Sequence, residues 1–184
     1  MNVKKPNKYT SVRQPDGDIS SIPNKGHIAD IFIYSDGSSR GNPGPGGYGV
    51  VLLSGNHYKE LSEGFDLTTN NRMELLGVIK GLEAIKASGG RISVISDSSY
   101  VIRAINEGWL KKWKLSGFKK KKNRDLWERF LIVYDKLSAS FEINFHWVKG
   151  HAGHRENEIC DRLAVKAATS PGLSHDCGYE NESV

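Results

Sequence analysis

Four acidic residues occupy positions from which a carboxylate can do chemistry. Asp36 follows the apolar run Ile28 to Tyr34, and Asp97 follows a second run, Arg91 to Ser96. In open α/β sheets, ligands gather beyond the carboxyl ends of parallel strands. If the two runs are neighbouring strands, their acids stand one strand spacing apart, roughly 5 Å. Glu74 lies near the start of a long amphipathic segment, and Asp161 lies within another, ten residues after His151. Four acids brought together would repel, and one would keep its proton unless cations were supplied. Hard oxygen ligands without Cys select Mg²⁺ or Mn²⁺. Two such ions about 4 Å apart clamp the attacking water and the leaving oxygen of a phosphodiester. Each acid also has a plainer role open to it. Asp36 before Gly37 suits a turn and Asp97 before Ser98 suits a helix cap, while Glu74 and Asp161 suit solvated helix surface.

The elements that must position these acids are legible from periodicity. Ile28 to Tyr34 reads as a buried strand, Tyr48 to Leu53 as a second, and His57 to Phe65 as a third after the Ser54-Gly55-Asn56 turn. Asn71 to about Ser88 reads as a helix, with Met73, Leu76, Ile79, Leu82 and Ile85 in period and Gly89-Gly90 closing it. Arg91 to Ser96 is a fourth strand. A short helix over Ser98 to Glu107 and an amphipathic helix over Asn123 to Ser138 follow. Phe141 to Val148 is a fifth strand, and a last helix runs from about Glu156 to Thr169. The order is β-β-β-α-β-α-α-β-α. It predicts an α/β fold in which three antiparallel strands are followed by parallel ones, the first and fourth strands being parallel through a crossover.

Charge is concentrated in one block. The 184 residues carry a formal net charge of +5. Trp109 to Arg124 holds seven lysines and one arginine with no acid, so the rest of the chain is slightly acidic. Trp109, Trp113 and Phe118 are interleaved with those lysines. Aromatic and cationic side chains in alternation suit a nucleic acid, because sugars and bases stack while ammonium groups hold phosphates. A solvated run of lysines is the other reading. Residues 1–28 form a polar arm expected to be flexible, 29–170 a single domain with a basic protrusion at 109–124, and 171–184 an acidic tail expected to be disordered. Two cysteines make no disulfide framework, and no apolar run approaches the ~20 residues of a membrane span. The expected setting is therefore cytoplasmic.

The strings YSDGSSRGNPGPGGYG at 34–49, TTNNRMEL at 68–75, SDSSYV at 96–101, KNRDLW at 122–127 and WVKGHAGHRENEICDRLA at 147–164 together resemble ribonuclease H of the bacterial type 1 branch. The likeness runs in family order from about Ile31 to Ala168. It implies a five-stranded mixed sheet flanked by helices. It also implies two-metal-ion hydrolysis of the RNA strand of an RNA–DNA hybrid, giving a 5′-phosphate and a 3′-hydroxyl. By this resemblance Asp36 bridges two Mg²⁺ ions, with Mn²⁺ as a substitute. Asp161 completes the ion that activates water, Glu74 and Asp97 hold the other, and His151 assists proton transfer or product release. Asn42, Asn70 and Asn71 match amides that contact the 2′-hydroxyl marking RNA, which Glu74 also touches. Thr69 and Asn123 match residues that seat a DNA phosphate, and Trp109 an aromatic packed on a deoxyribose. Lys119, Lys120, Lys121 and Lys122 fall in the family's basic protrusion, which grips DNA. Leu67 stands where many relatives carry an arginine at the DNA-phosphate pocket. Nothing in the sequence forces an oligomer, so a monomer without an obligate protein partner is expected.

Overall fold

The structure is a computed structural model that describes residues 30–87, 89–150 and 152–182. The 1–28 arm and His151 lie outside the described residues. Five strands, β1 (Asp30–Ser39), β2 (Gly44–Ser54), β3 (His57–Thr68), β4 (Gly90–Ser96) and β5 (Phe141–Trp147), form one sheet in the order β3-β2-β1-β4-β5. β2 pairs antiparallel with β1 and β3, while β1–β4 and β4–β5 are parallel. The mixed sheet and the parallel first and fourth strands are as the sequence predicts.

Strand alternation sends successive apolar residues to opposite faces. Ile33, Val50 and Val94 pack with α1 (Asn70–Glu83), α2 (Ser99–Asn106) and α4 (Arg124–Ser138), whereas Tyr34, Val51 and Ile95 meet Cys160 of α5 (Arg155–Ala168). β1 is covered on both faces, which is why its first half reads as a continuous apolar run. α1 is itself enclosed by the sheet and α4. Residues around most of its circumference are buried for that reason, including Arg72 at 1% exposure.

Several boundaries differ from the sequence reading, each for a physical reason. Asp36 lies inside β1 rather than beyond it. The parallel pairing of β1 with β4 ends at Tyr34–Ile95, but antiparallel pairing with β2 carries β1 on to Ser39. α1 ends at Glu83. The Ile85 amide there bonds the carbonyl of Leu82 in a tightened turn, and Ile85 packs on the core from outside the helix. The basic block begins with a further helix, α3 (Trp109–Leu115). Its Trp113 packs edge-on against the fully buried Trp127 at 5.6 Å between centroids, and Phe118 is buried just after it. The lysines thus project from an anchored base.

Residues 171–182 are not a disordered tail, and that expectation is corrected. Ser174 bridges to Phe65 of β3, with its amide on Gly64 O at 2.9 Å and its carbonyl on the Asp66 amide at 3.0 Å. Asp176 is buried, and a short α6 (Cys177–Glu182) follows. The tail folds because Asp176 meets Arg72, whose guanidinium would otherwise be buried against a single acid.

Candidate active site

Glycines bring the acidic residues together. A Cβ on Gly37 would lie 2.2 Å from the backbone nitrogen of Glu74, so the first turn of α1 rests directly on β1 beside Asp36. Asp36 is paired across the sheet with Gly49. A Cβ on Gly49 would lie 2.1 Å from the carbonyl oxygen of Cys160, so α5 approaches β2 at the residue before Asp161. Asp97 follows β4 at the end where parallel pairing with β1 stops. Gly37→Ala is therefore expected to cost about 1–3 kcal/mol, as overpacking does. Urea denaturation would check it, and a near-normal midpoint would refute this close approach.

The charges of Asp97, Asp161 and Glu74 all bear on Asp36. Burial pushes the Asp36 carboxyl up to about 7, and the negative charge of Asp97 adds to this. The Gly37 amide, 2.7 Å from Oδ1, pulls the other way, and the charges of Asp161 and Glu74 raise it further. Glu74 is raised by burial and by Asp97, against hydrogen bonds from Ser98 Oγ and from Asn70 Nδ2 at 2.8 Å. Among the described residues, the charged neighbours that shift these two acids are themselves acids. Beside Asp97, Asn157 Nδ2 stands 3.5 Å from Oδ2, and Asn157 Oδ1 is buried without a partner.

These residues fit a hard divalent cation by chemistry and charge. The donors are oxygens, the charges pressing on Asp36 among the described residues are negative, and a buried acceptor next to them is unsatisfied. Among the described residues no three acidic, His or Cys side chains close into a ligand set as they stand. The acids form an open cluster, with Glu74 turned toward Asn70 and Ser98.

The other predicted residues separate into two regions. Asn42 Oδ1 accepts the Asn70 amide at 3.0 Å, so Asn42 caps α1. Thr69 holds the N-cap position with its side chain unused for capping. Asn71 is exposed in the first turn. Asn123 precedes α4 in a left-handed conformation, is buried, and donates to Tyr100 Oη at 3.0 Å. Trp109 starts α3 with the Arg103 guanidinium 5.1 Å over its ring, and Lys121 Nζ lies 5.1 Å over Trp113. Lys119, Lys120 and Lys122 are exposed. Leu67 is exposed at the end of β3.

Sequence reasoning passed over Ser98, Asn157, Arg72, Asp125 and Asp176. Arg72 had a usable signal. It falls on the apolar stripe with Leu75, Leu76 and Ile79, and a charge there requires a buried acid.

Three comparisons bear on this geometry. A family model for RNase H matches residues 29–169. The ribonuclease H of Syntrophus aciditrophicus is 53% identical over 154 residues, 81% of this chain and 86% of that enzyme. Among solved structures, LC9-RNase H1, a type 1 RNase H with the type 2 active-site motif, is 31% identical with a TM-score of 0.68, covering 90% of this chain and 83% of that one. LC11-RNase H1 in complex with an RNA/DNA hybrid is 26% identical with a TM-score of 0.53, covering 75% of this chain and 96% of that one.

Proposed function

The chain belongs to the ribonuclease H family, and from that premise we propose that it hydrolyses the RNA strand of RNA–DNA hybrids with divalent metal ions, leaving a 5′-phosphate and a 3′-hydroxyl. The observation that carries this is Asp36, a half-buried acid whose carboxyl is raised by burial and by the charges of Asp97, Asp161 and Glu74. The relative seen with a hybrid bound supports the substrate.

Asp36 and Asp161 would hold one ion and Glu74 and Asp97 the other, Asp36 being shared. Two Mg²⁺ ions, or Mn²⁺ in their place, supply Lewis-acid stabilisation of a phosphodiester and lower the pKa of bound water. Asn70 and Ser98 orient Glu74, and Gly37 holds the Asp36 carboxylate through its amide. Asn42, Asn70 and Asn71 line the first turn of α1, next to Glu74, where amides can read a 2′-hydroxyl. Thr69 and Asn123 seat a DNA phosphate, and Trp109 packs on a deoxyribose. The role of His151 rests on the family resemblance alone. The chain acts as a monomer.

The test is incubation with Mg²⁺ and labelled RNA–DNA hybrid, duplex DNA, duplex RNA and single-stranded RNA. Cleavage of the hybrid's RNA strand alone is expected. Cutting of duplex DNA, or of none of the four, would overturn the reading.

The protrusion makes a separate prediction. Replacing Lys119 to Lys122 by Ala should weaken hybrid binding and flatten its salt dependence. Each lost phosphate contact removes up to about 0.9 from the slope of log affinity against log salt. An unchanged slope would mean that these lysines make no phosphate contact.

A further inference from the structure

We propose that residues 174–179 form a strap whose Asp176 positions the first turns of α1 and α4, and with them the seat for the DNA strand. The second half rests on the reading of Thr69 and Asn123 as DNA-phosphate contacts.

The Asp176 carboxylate accepts four hydrogen bonds. Oδ2 takes Arg72 Nε at 2.8 Å and Thr68 Oγ1 at 2.6 Å, and Oδ1 takes Arg72 Nη2 at 2.7 Å and the Tyr179 amide at 3.2 Å. Thr68 and Arg72 bracket Thr69, Asn70 and Asn71, so one carboxylate grips both sides of the turn that begins α1. The other edge of Arg72 holds Asp125, Nη1 to Oδ1 at 2.9 Å and Nη2 to Oδ2 at 2.8 Å. Asp125 lies two residues after Asn123, in the first turn of α4. Asp176, Arg72 and Asp125 thus join two helix starts, Arg72 and Asp125 lying 53 residues apart in sequence.

The strap is fitted to this task. It is pinned to β3 by the Ser174 backbone bonds and by His175 Nδ1, 2.6 Å from Asp66 Oδ2. A Cβ on Gly178 would lie 2.0 Å from Asp125 Oδ2 and 2.5 Å from Arg72 Nη2, so the strap passes directly over the ion pair. A buried ion pair is weak evidence for stability, since desolvation offsets much of its attraction, and fixing register is its best-attested use. Here the register fixed is that of α1 against α4.

Two full-length variants, Asp176→Asn and Thr68→Val, test the proposal with and without substrate. In the free protein, hydrogen exchange is expected to speed about tenfold at the Met73 and Trp127 amides, which close these first turns, and to stay unchanged at Ile33. With hybrid, KM should rise about tenfold while kcat stays within twofold, the signature of lost binding rather than lost chemistry. Uncharged methylphosphonates placed singly along the DNA strand should identify the seated phosphate in the wild type. The penalty at that position should at least halve in Asp176→Asn, because a misplaced seat no longer uses the charge. Should Asp176→Asn fail to fold, Thr68→Val carries the same expectations at smaller size. Unchanged exchange at both amides overturns the strap. Faster exchange with an undiminished methylphosphonate penalty, or with kcat falling at constant KM, overturns its link to the DNA seat. A wild type that does not cleave the hybrid overturns the functional reading instead, and the exchange result then stands alone.

Discussion

Asp36→Asn is expected to abolish turnover, to leave hybrid binding intact and to raise the melting temperature of the metal-free protein. The amide keeps the shape of the carboxyl but removes the charge shared between the two proposed ion sites. A loss of about 4 kcal/mol in transition-state stabilisation corresponds to roughly a thousandfold in rate. Binding should survive because the lysines and the α1 and α4 starts are untouched. The stability gain follows from the crowding of charge. Burial and the charges of Asp97, Asp161 and Glu74 hold the Asp36 carboxyl at about 7 in the folded protein, against an ordinary value near 4. Between those limits the folded state binds a proton that the unfolded chain releases, so this group makes the fold less stable as pH rises from about 4 to about 7. Removing the charge should restore about 1–2 kcal/mol at pH 8, or about 2–6 °C, with a smaller gain at pH 5. Thermal melts in EDTA at both values check the sign. A lowered melting temperature at pH 8, or cleavage at near-normal rate, would refute the crowded cluster.

Arg72→Ala is expected to be the most destabilising single substitution described here, at about 3–5 kcal/mol, because it leaves two acids unpaired under the strap. Arg72 is 1% exposed and bidentate to both Asp125 and Asp176. Burial pushes the Asp176 carboxyl up, but the hydrogen bonds from Arg72 and Thr68, together with the Arg72 charge, prevail and hold it below its ordinary range. A depressed carboxylate contributes stability that is present above pH ~4 and lost as pH falls through its lower folded value. The wild type should therefore lose stability on acidification below pH 4 by a route that Arg72→Ala lacks. Urea midpoints across pH 2–7 would show the two curves converging in acid. A loss below about 1 kcal/mol at pH 7 would mean that water reaches this network and that the strap is loosely held.

The sheet is legible because it depends on local pattern, whereas the grouping of the four acids rests on the family resemblance. Short apolar, β-branched runs at Ile31 to Tyr34 and Ile92 to Ile95 mark strands, and Asp36 and Asp97 each lie two residues past the last parallel pair, Tyr34–Ile95. What local pattern does not contain is the close approach of elements distant in sequence. Gly37 and Gly49 read as turn or strand glycines, yet each is where a helix backbone touches the sheet. The tail was misread for the same reason. Asp176 among Pro, Gly, Ser and acids has the composition of disorder, and its partner Arg72 is 104 residues away. Arg72 on the buried stripe of α1 was the counter-signal. Helix α3 was hidden by its lysines, and only the spacing of Trp109 and Trp113 marks the face that packs.

Anomalous diffraction from crystals of the full chain grown with Mn²⁺ and an RNA–DNA hybrid would locate the ions among the four acids. Ions are expected between Asp36 and the carboxylates of Glu74, Asp97 and Asp161, against a phosphate of the RNA strand. Ions elsewhere, or acids left apart with the hybrid bound on another face, would contradict this arrangement.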